Sequence, residues 1–205
     1  MPVMDLFIRE SRAIVHGPML IVRYGTCGGI SPDAVAGSVI VNSHGSGYVS
    51  RNHDYFLHPN DSASGKPYNF FELCPADKEL SEAVVQSLHS FLDPLKLPIN
   101  VIEGANVAAD FFYGTQGRHD ENFDDHNEHM IEEVHKHYPT AKSLEMESYL
   151  LMNYSKCCKQ TIRATSAAMA LSNRDSAVVV EDSVFEQVET VGGHAILHAV
   201  AHAAL

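Results

Sequence analysis

Three groups of residues in the chain have the types and spacing to handle an anion or a polar ring. The first is Arg23 with Thr26 and glycines 25, 28 and 29 in MLIVRYGTCGGI, residues 19–30. A guanidinium offers a planar fork that matches two oxyanion oxygens, a hydroxyl adds a donor, and glycines turning past a strand can aim backbone N–H groups at one anion. GTCGG has neither the Lys-Ser/Thr pair of a P-loop nor the glycine spacing of a dinucleotide fingerprint, and a strand followed by an ordinary glycine turn fits the same letters. The second group is Gln116 and Arg118, just after Phe111, Phe112 and Tyr113. Amide donors, an amide acceptor and a guanidinium can read the edge of a flat heterocycle while an aromatic covers its face. Core aromatics followed by a solvated loop is the competing description. The third group is Glu145 and Glu147 inside an otherwise apolar segment. An unpaired carboxylate is costly to bury, so either both reach water or one is held for a ligand hydroxyl.

Residues 119–138, HDENFDDHNEHMIEEVHKHY, are dense in acid and histidine. His126-x-x-His129 lacks the i, i+4 spacing of a helical zinc pair and no cysteine is near, so the expectation is no metal site. A solvated helix face with Met130, Ile131 and Val134 on its inner side is expected instead.

Among the elements around these groups, residues 5–15 have helical apolar spacing and lead through Gly17-Pro18 to a buried strand starting at Met19. Residues 35–42 read as a second strand, and residues 43–66 as a long polar loop. A helix from about Pro75 to Phe91 carries the stripe Leu80, Val84, Leu88 and Leu92, and ends before Pro94 and Pro98. A strand over 99–103, a buried helix over 143–158, a small-residue strand over 161–171 and a closing helix over 183–205 complete the series. Three of the strands end in polar turns, where open α/β sheets bind ligands. The expected architecture is one three-layer α/β domain over residues 1–205.

The balance of 26 Asp and Glu against 14 Lys and Arg gives a net charge of -12, which repels polyanions and argues against a nucleic-acid partner. No apolar run approaches membrane-spanning length, and MPVMDLFIRE does not resemble a signal or transit peptide. Four cysteines without CxxC pairing fit reduced thiols. Together these place the protein in the cytoplasm as an expectation.

Four stretches in this order, RYGTCGG at 23–29, DFFYGTQGR at 110–118, EMES at 145–148 and SNR at 172–174, resemble the uridine phosphorylases of the nucleoside phosphorylase family. The resemblance implies a twisted mixed sheet partly closed into a barrel and flanked by helices, and assembly as a homodimer or ring of dimers. It implies conversion of uridine and phosphate to uracil and ribose 1-phosphate, with phosphate as co-substrate and no cofactor. Residue by residue, it assigns Arg23 and Thr26 to phosphate. Gln116, Arg118, Phe112, Arg174 and Gly28 go to the base, and Met146 and Glu147, with Thr26, to ribose. Arg23, Glu147 and Arg118 become the catalytic set. Purine members carry an aspartate near Asn173, so Asn173-Arg174 favours pyrimidine. Family members also have a phosphate loop before the Arg23 strand that is missing here. The chain therefore resembles the C-terminal two thirds of such an enzyme, with Ile21 and Val22 expected beside an open sheet edge. The alternatives are a non-catalytic remnant that binds pyrimidine or a full-length relative, and a purine nucleoside phosphorylase.

Overall fold

Two long strands organise the chain. In the computed structural model, which describes residues 2–58, 61–176 and 178–204, β1 (Met19–Gly29) lies parallel to a strand at Ile162–Asn173. Their register runs from Met19 opposite Ile162 to Gly29 opposite Asn173, with a bulge at Cys27–Gly28. The other strands are β2 (Val39–Val41), β3 (Ser46–Arg51), β4 (Tyr68–Cys74), β5 (Val101–Glu103), β6 (Ala105–Ala109) and β7 (Ala141–Glu145), which makes the long partner β8. The sheet is mixed, in the order β4-β3-β6-β7-β1-β8-β2-β5. It is flanked by helices α1 (Pro2–Ile14), α2 (His53–Leu57), α3 (Lys78–Leu92), α4 (Met130–His137), α5 (Ser148–Cys157) and α6 (Asp182–His202).

Side-chain alternation along β1 feeds two cores. Met19 and Ile21 pack with Ile8 of α1, Leu151 of α5 and Ile162. Val22 and Tyr24 pack on the opposite side with Val84 and Leu88 of α3 and Val188 and Ile196 of α6. The predicted stripe on α3 is fully buried, and Asp77 caps that helix by accepting the Leu80 N–H at 2.9 Å.

The three-layer α/β architecture matches expectation, but the sheet is not closed: its outer strands, β4 and β5, do not pair with each other. The join between its halves is also slight. β7 meets β1 antiparallel only at Gly28–Leu144 and Gly29–Ser143. Among the described residues, Met19–Cys27 therefore has no strand on that side, which agrees with the expected open edge beside Ile21 and Val22.

Several elements depart from the sequence expectations. The glycines of GTCGG form no turn, because β1 continues through Gly29. Residues 43–66 hold β3, α2 and a short 3-10 turn rather than loop alone. The strand over 35–42 shrinks to Val39–Val41, and the helix over 143–158 divides into strand up to Glu145 and helix from Ser148. Tertiary pairing overrides weak local letters in each case: SGYVSR becomes a strand because β4 and β6 clasp it on both sides.

Candidate active site

The predicted residues gather where β7 parts from β1. The chain leaves the sheet after Glu145 and starts α5 at Ser148, so Glu147 comes opposite the open stretch of β1. There Arg23 reaches across, placing Nη2 2.5 Å from Glu147 and Nη1 3.3 Å from Glu145. Gly25 explains why a large head group can lie so close to its own strand: a Cβ there would sit 3.1 Å from both terminal nitrogens of Arg23. Arg23 Nη1 is buried without a hydrogen-bond acceptor.

Glu145 and Glu147 play different parts. Glu145 is buried and accepts from Asn106 Nδ2, from the Glu147 N–H at 2.9 Å and from the Ser148 N–H at 3.0 Å. It thus satisfies the free donors at the start of α5. Burial, outweighing Arg23, pushes its carboxyl pKa up. Asn106 is fixed in turn by Ser143 Oγ, which donates to its carbonyl at 2.9 Å. Glu147 has a side chain 35% exposed and faces Arg23. Neither sequence alternative describes Glu145, a buried carboxylate supplied with donors by the protein itself.

The second cluster stands at the far end of β1. The loop after β6 is pinned by Thr115, whose hydroxyl accepts from the Phe111 N–H and donates to the Phe111 carbonyl. Asn127 donates to the carbonyls of Gly114 and Arg118. This presents Gln116, which is buried, to Arg174 just past β8: Arg174 Nη2 donates to Gln116 Oε1 at 2.9 Å. Arg174 crosses directly over Gly28, where a Cβ would meet its Nε at 3.0 Å. Gly28 and Gly25 therefore serve by admitting guanidinium groups, not by forming a backbone nest. Arg118 rests on Phe112, with Cζ 4.0 Å from the ring centroid.

The second cluster holds positive charge without a carboxylate partner among the described residues. Burial first, then neighbouring Arg118, lowers the Arg174 pKa to about 10, and burial lowers that of Arg118. The Nε of each is buried without an acceptor, and among the described residues neither has a carboxylate in ion-pair range. Two desolvated guanidinium groups beside an amide form a receptor for a polar ring that carries or develops negative charge.

The family model of the phosphorylase superfamily matches residues 1–201. The chain belongs to that superfamily. It is 35% identical to a uridine phosphorylase of the oomycete Phytophthora capsici, with a TM-score of 0.94 over 100% of this chain and 73% of that one. A Trypanosoma brucei nucleoside phosphorylase with uridine phosphorylase activity shares the fold at 16% identity and TM-score 0.67, over 90% of this chain and 64% of that one. A Schistosoma mansoni uridine phosphorylase solved with thymine does so at 17% and 0.62, over 98% of this chain and 66% of that one. No curated protein matches the chain.

Within this phosphorylase fold, Arg23 and Glu147 meet, as do Gln116, Arg118, Arg174, Phe112 and Gly28, and β1 runs beneath both sets. Met146 stands partly exposed between the two glutamates, and Thr26 is exposed on β1. Asn173 is occupied by backbone: its amide donates to the carbonyls of Ser31 and Ala34 and accepts from the Asp175 N–H. Sequence reasoning passed over Asn106, although an amide among small apolar residues in ANVAA is itself a sign of a buried polar partner. The histidines of 119–138 find ordinary partners: His129 meets Glu132 at 3.0 Å, and His135 Nε2 donates to the Ile30 carbonyl at 2.8 Å.

Proposed function

We propose that the chain is a pyrimidine nucleoside phosphorylase acting on uridine in nucleoside catabolism and pyrimidine salvage in the cytoplasm, as a homodimer or ring of dimers. A phosphate oxygen attacks ribose C1′ while the C1′–N1 bond breaks, and the electron pair leaves with uracil. Positive charge builds on the sugar and negative charge on the base. Arg23 and Thr26 orient phosphate, Glu147 accepts from ribose hydroxyls, and Met146 packs against the sugar. Gln116 and Arg118 bond uracil's carbonyls and N3, Arg174 reinforces that edge, and Phe112 covers the ring. Uracil has no N7 for an acid to protonate, so guanidinium groups in place of a carboxylic acid suit this leaving group. Phosphate is the co-substrate and no cofactor takes part.

The observation that carries this reading is the pair of desolvated guanidinium groups beside Gln116 with, among the described residues, no carboxylate in range. The test is chromatographic detection of uracil released from uridine with and without phosphate. Phosphate-dependent release is expected, and no product at high protein concentration ends the claim of activity.

A second reading, binding without turnover, is favoured by the open edge of β1 over Met19–Cys27, which offers unpaired backbone groups to an extended partner such as a full-length relative. It predicts heat on titrating uracil, or co-purification with that relative, in the absence of uracil release.

A further inference from the structure

A second concentration of positive charge lies away from this site. Between α1 and the C-terminal end of α5 is a cavity of about 490 Å³ lined by Ile8, Arg9, Arg12, Tyr154, Cys158 and Lys159, among others. The cavity wall reaches back along α5 to Tyr154, seven residues or about 10 Å of helix from Glu147.

In a chain with 26 acidic and 14 basic residues, three cations bordering one hollow is an unusual grouping. Arg9 is paired with Asp5 at 2.5 Å. Arg12 and Lys159 have no ion-pair partner among the described residues. Arg12 donates from Nη2 to the Val15 carbonyl, while its Nε and Nη1 are shut off from water without an acceptor. Orphaned donors of this kind are costly, so the head group gains by turning into the hollow toward an oxyanion, which then satisfies them. The remaining wall is apolar: Ile8 is buried, and the Tyr154 ring lies 5.5 Å from the Arg9 guanidinium carbon.

We infer that this cavity binds a small phosphomonoester, its phosphate held by Arg12 and Lys159 and its carbon body laid against Ile8 and Tyr154. The two cations, neither with a carboxylate partner among the described residues, match the charge of about -1.5 to -2 that a phosphate monoester carries near neutral pH. The size suits a metabolite rather than a macromolecule. This inference is independent of the proposed phosphorolysis and involves none of its residues.

Two thiols at the cavity provide the readout, since Cys157 is exposed and Cys158 partly so, whereas Cys27 and Cys74 are buried. Alkylation by iodoacetamide is followed by peptide mass spectrometry during titration with phenyl phosphate at constant ionic strength. Saturation is expected to slow modification of Cys157 and Cys158 about tenfold. Arg12→Gln and Lys159→Gln should each raise the half-protecting concentration by about tenfold, the worth of one charge-assisted hydrogen bond. Lys159 is exposed, so its replacement leaves the fold intact should Arg12→Gln disturb α1. Arg23→Gln should leave protection unchanged. Alkylation indifferent to phenyl phosphate overturns the inference, as does protection that vanishes in Arg23→Gln and survives in Lys159→Gln.

Discussion

The two ends of the proposed site solve the problem of buried positive charge in opposite ways. Arg23 comes with its own partners, lying 2.5 Å from the Glu147 carboxylate and 3.3 Å from the Glu145 carboxyl. Burial lowers the basicity of both Arg118 and Arg174, Arg118 lowers that of Arg174 further, and among the described residues their side-chain partners are an amide and an aromatic ring. A self-neutralised cation stabilises the empty protein and makes an incoming anion compete for it. Uncompensated cations weaken the empty protein and hold their electrostatic energy for a ligand. The first end should thus yield mainly stability phenotypes when mutated, and the second mainly affinity phenotypes.

Glu145→Ala tests the first half most severely. It removes the acceptor for Asn106 and for two N–H groups at the start of α5, and takes a neighbouring carboxyl from Arg23. Breaking such a buried network should cost about 3–5 kcal/mol, read as a lower urea midpoint with unchanged slope. A loss within the ordinary surface range would mean that Arg23 and α5 do not depend on it.

Arg118→Ala is the counterpart at the other end. It should weaken uracil binding by more than about 2 kcal/mol in a calorimetric titration, because a charge-assisted hydrogen bond is lost. The urea midpoint should not fall, since Arg174 is relieved of a like charge. Asp124→Ala, at an exposed position on the histidine-rich segment, should change neither quantity. Equal effects of the two substitutions on affinity would break the assignment of the base end.

How far these differences could be read in advance depends on what each residue answers to. The α3 stripe Leu80, Val84, Leu88 and Leu92 is plain because one helix face meets one core, and the types at Arg23, Gln116 and Arg118 point to anion and ring chemistry, whereas only the resemblance singles out Glu147 from Glu145. The glycines misled: their absent side chains suggest a turn, but at positions 25 and 28 the need is for space beside guanidinium groups that arrive from the same strand and from Arg174. Glu145 and Glu147 carry the same side chain two positions apart. The end of β7 separates a buried cap from a half-exposed partner, and local sequence does not mark where that strand stops. β3 was hidden for a similar reason, since its partners lie far along the chain.

The glycines give a finer comparison. Gly25→Ala brings a Cβ to 3.1 Å from the Arg23 head group, and Gly28→Ala brings one to 3.0 Å from Arg174 Nε. Each should displace a flexible guanidinium for about 1 kcal/mol, or roughly fivefold in binding. Gly25→Ala should raise KM for phosphate and spare uracil affinity, and Gly28→Ala should do the reverse. If both act on the same ligand, the two ends are one site rather than a phosphate end and a base end.

The last comparison concerns pH and the buried carboxyl. Burial raises the Glu145 pKa above its ordinary 4.5, so the folded protein holds a proton there more tightly than the unfolded chain does. Its contribution to stability is then fully present below about pH 4.5 and is lost as pH rises through the folded value. Glu145→Gln keeps the shape and an acceptor but cannot titrate. The difference in unfolding free energy between wild type and Glu145→Gln should therefore shift against wild type as pH rises above about 4.5. A shift in favour of wild type over that range would mean that Arg23 outweighs burial. Glu145 would then be a held ionic partner like Glu147, and the distinction drawn between the two glutamates would fall.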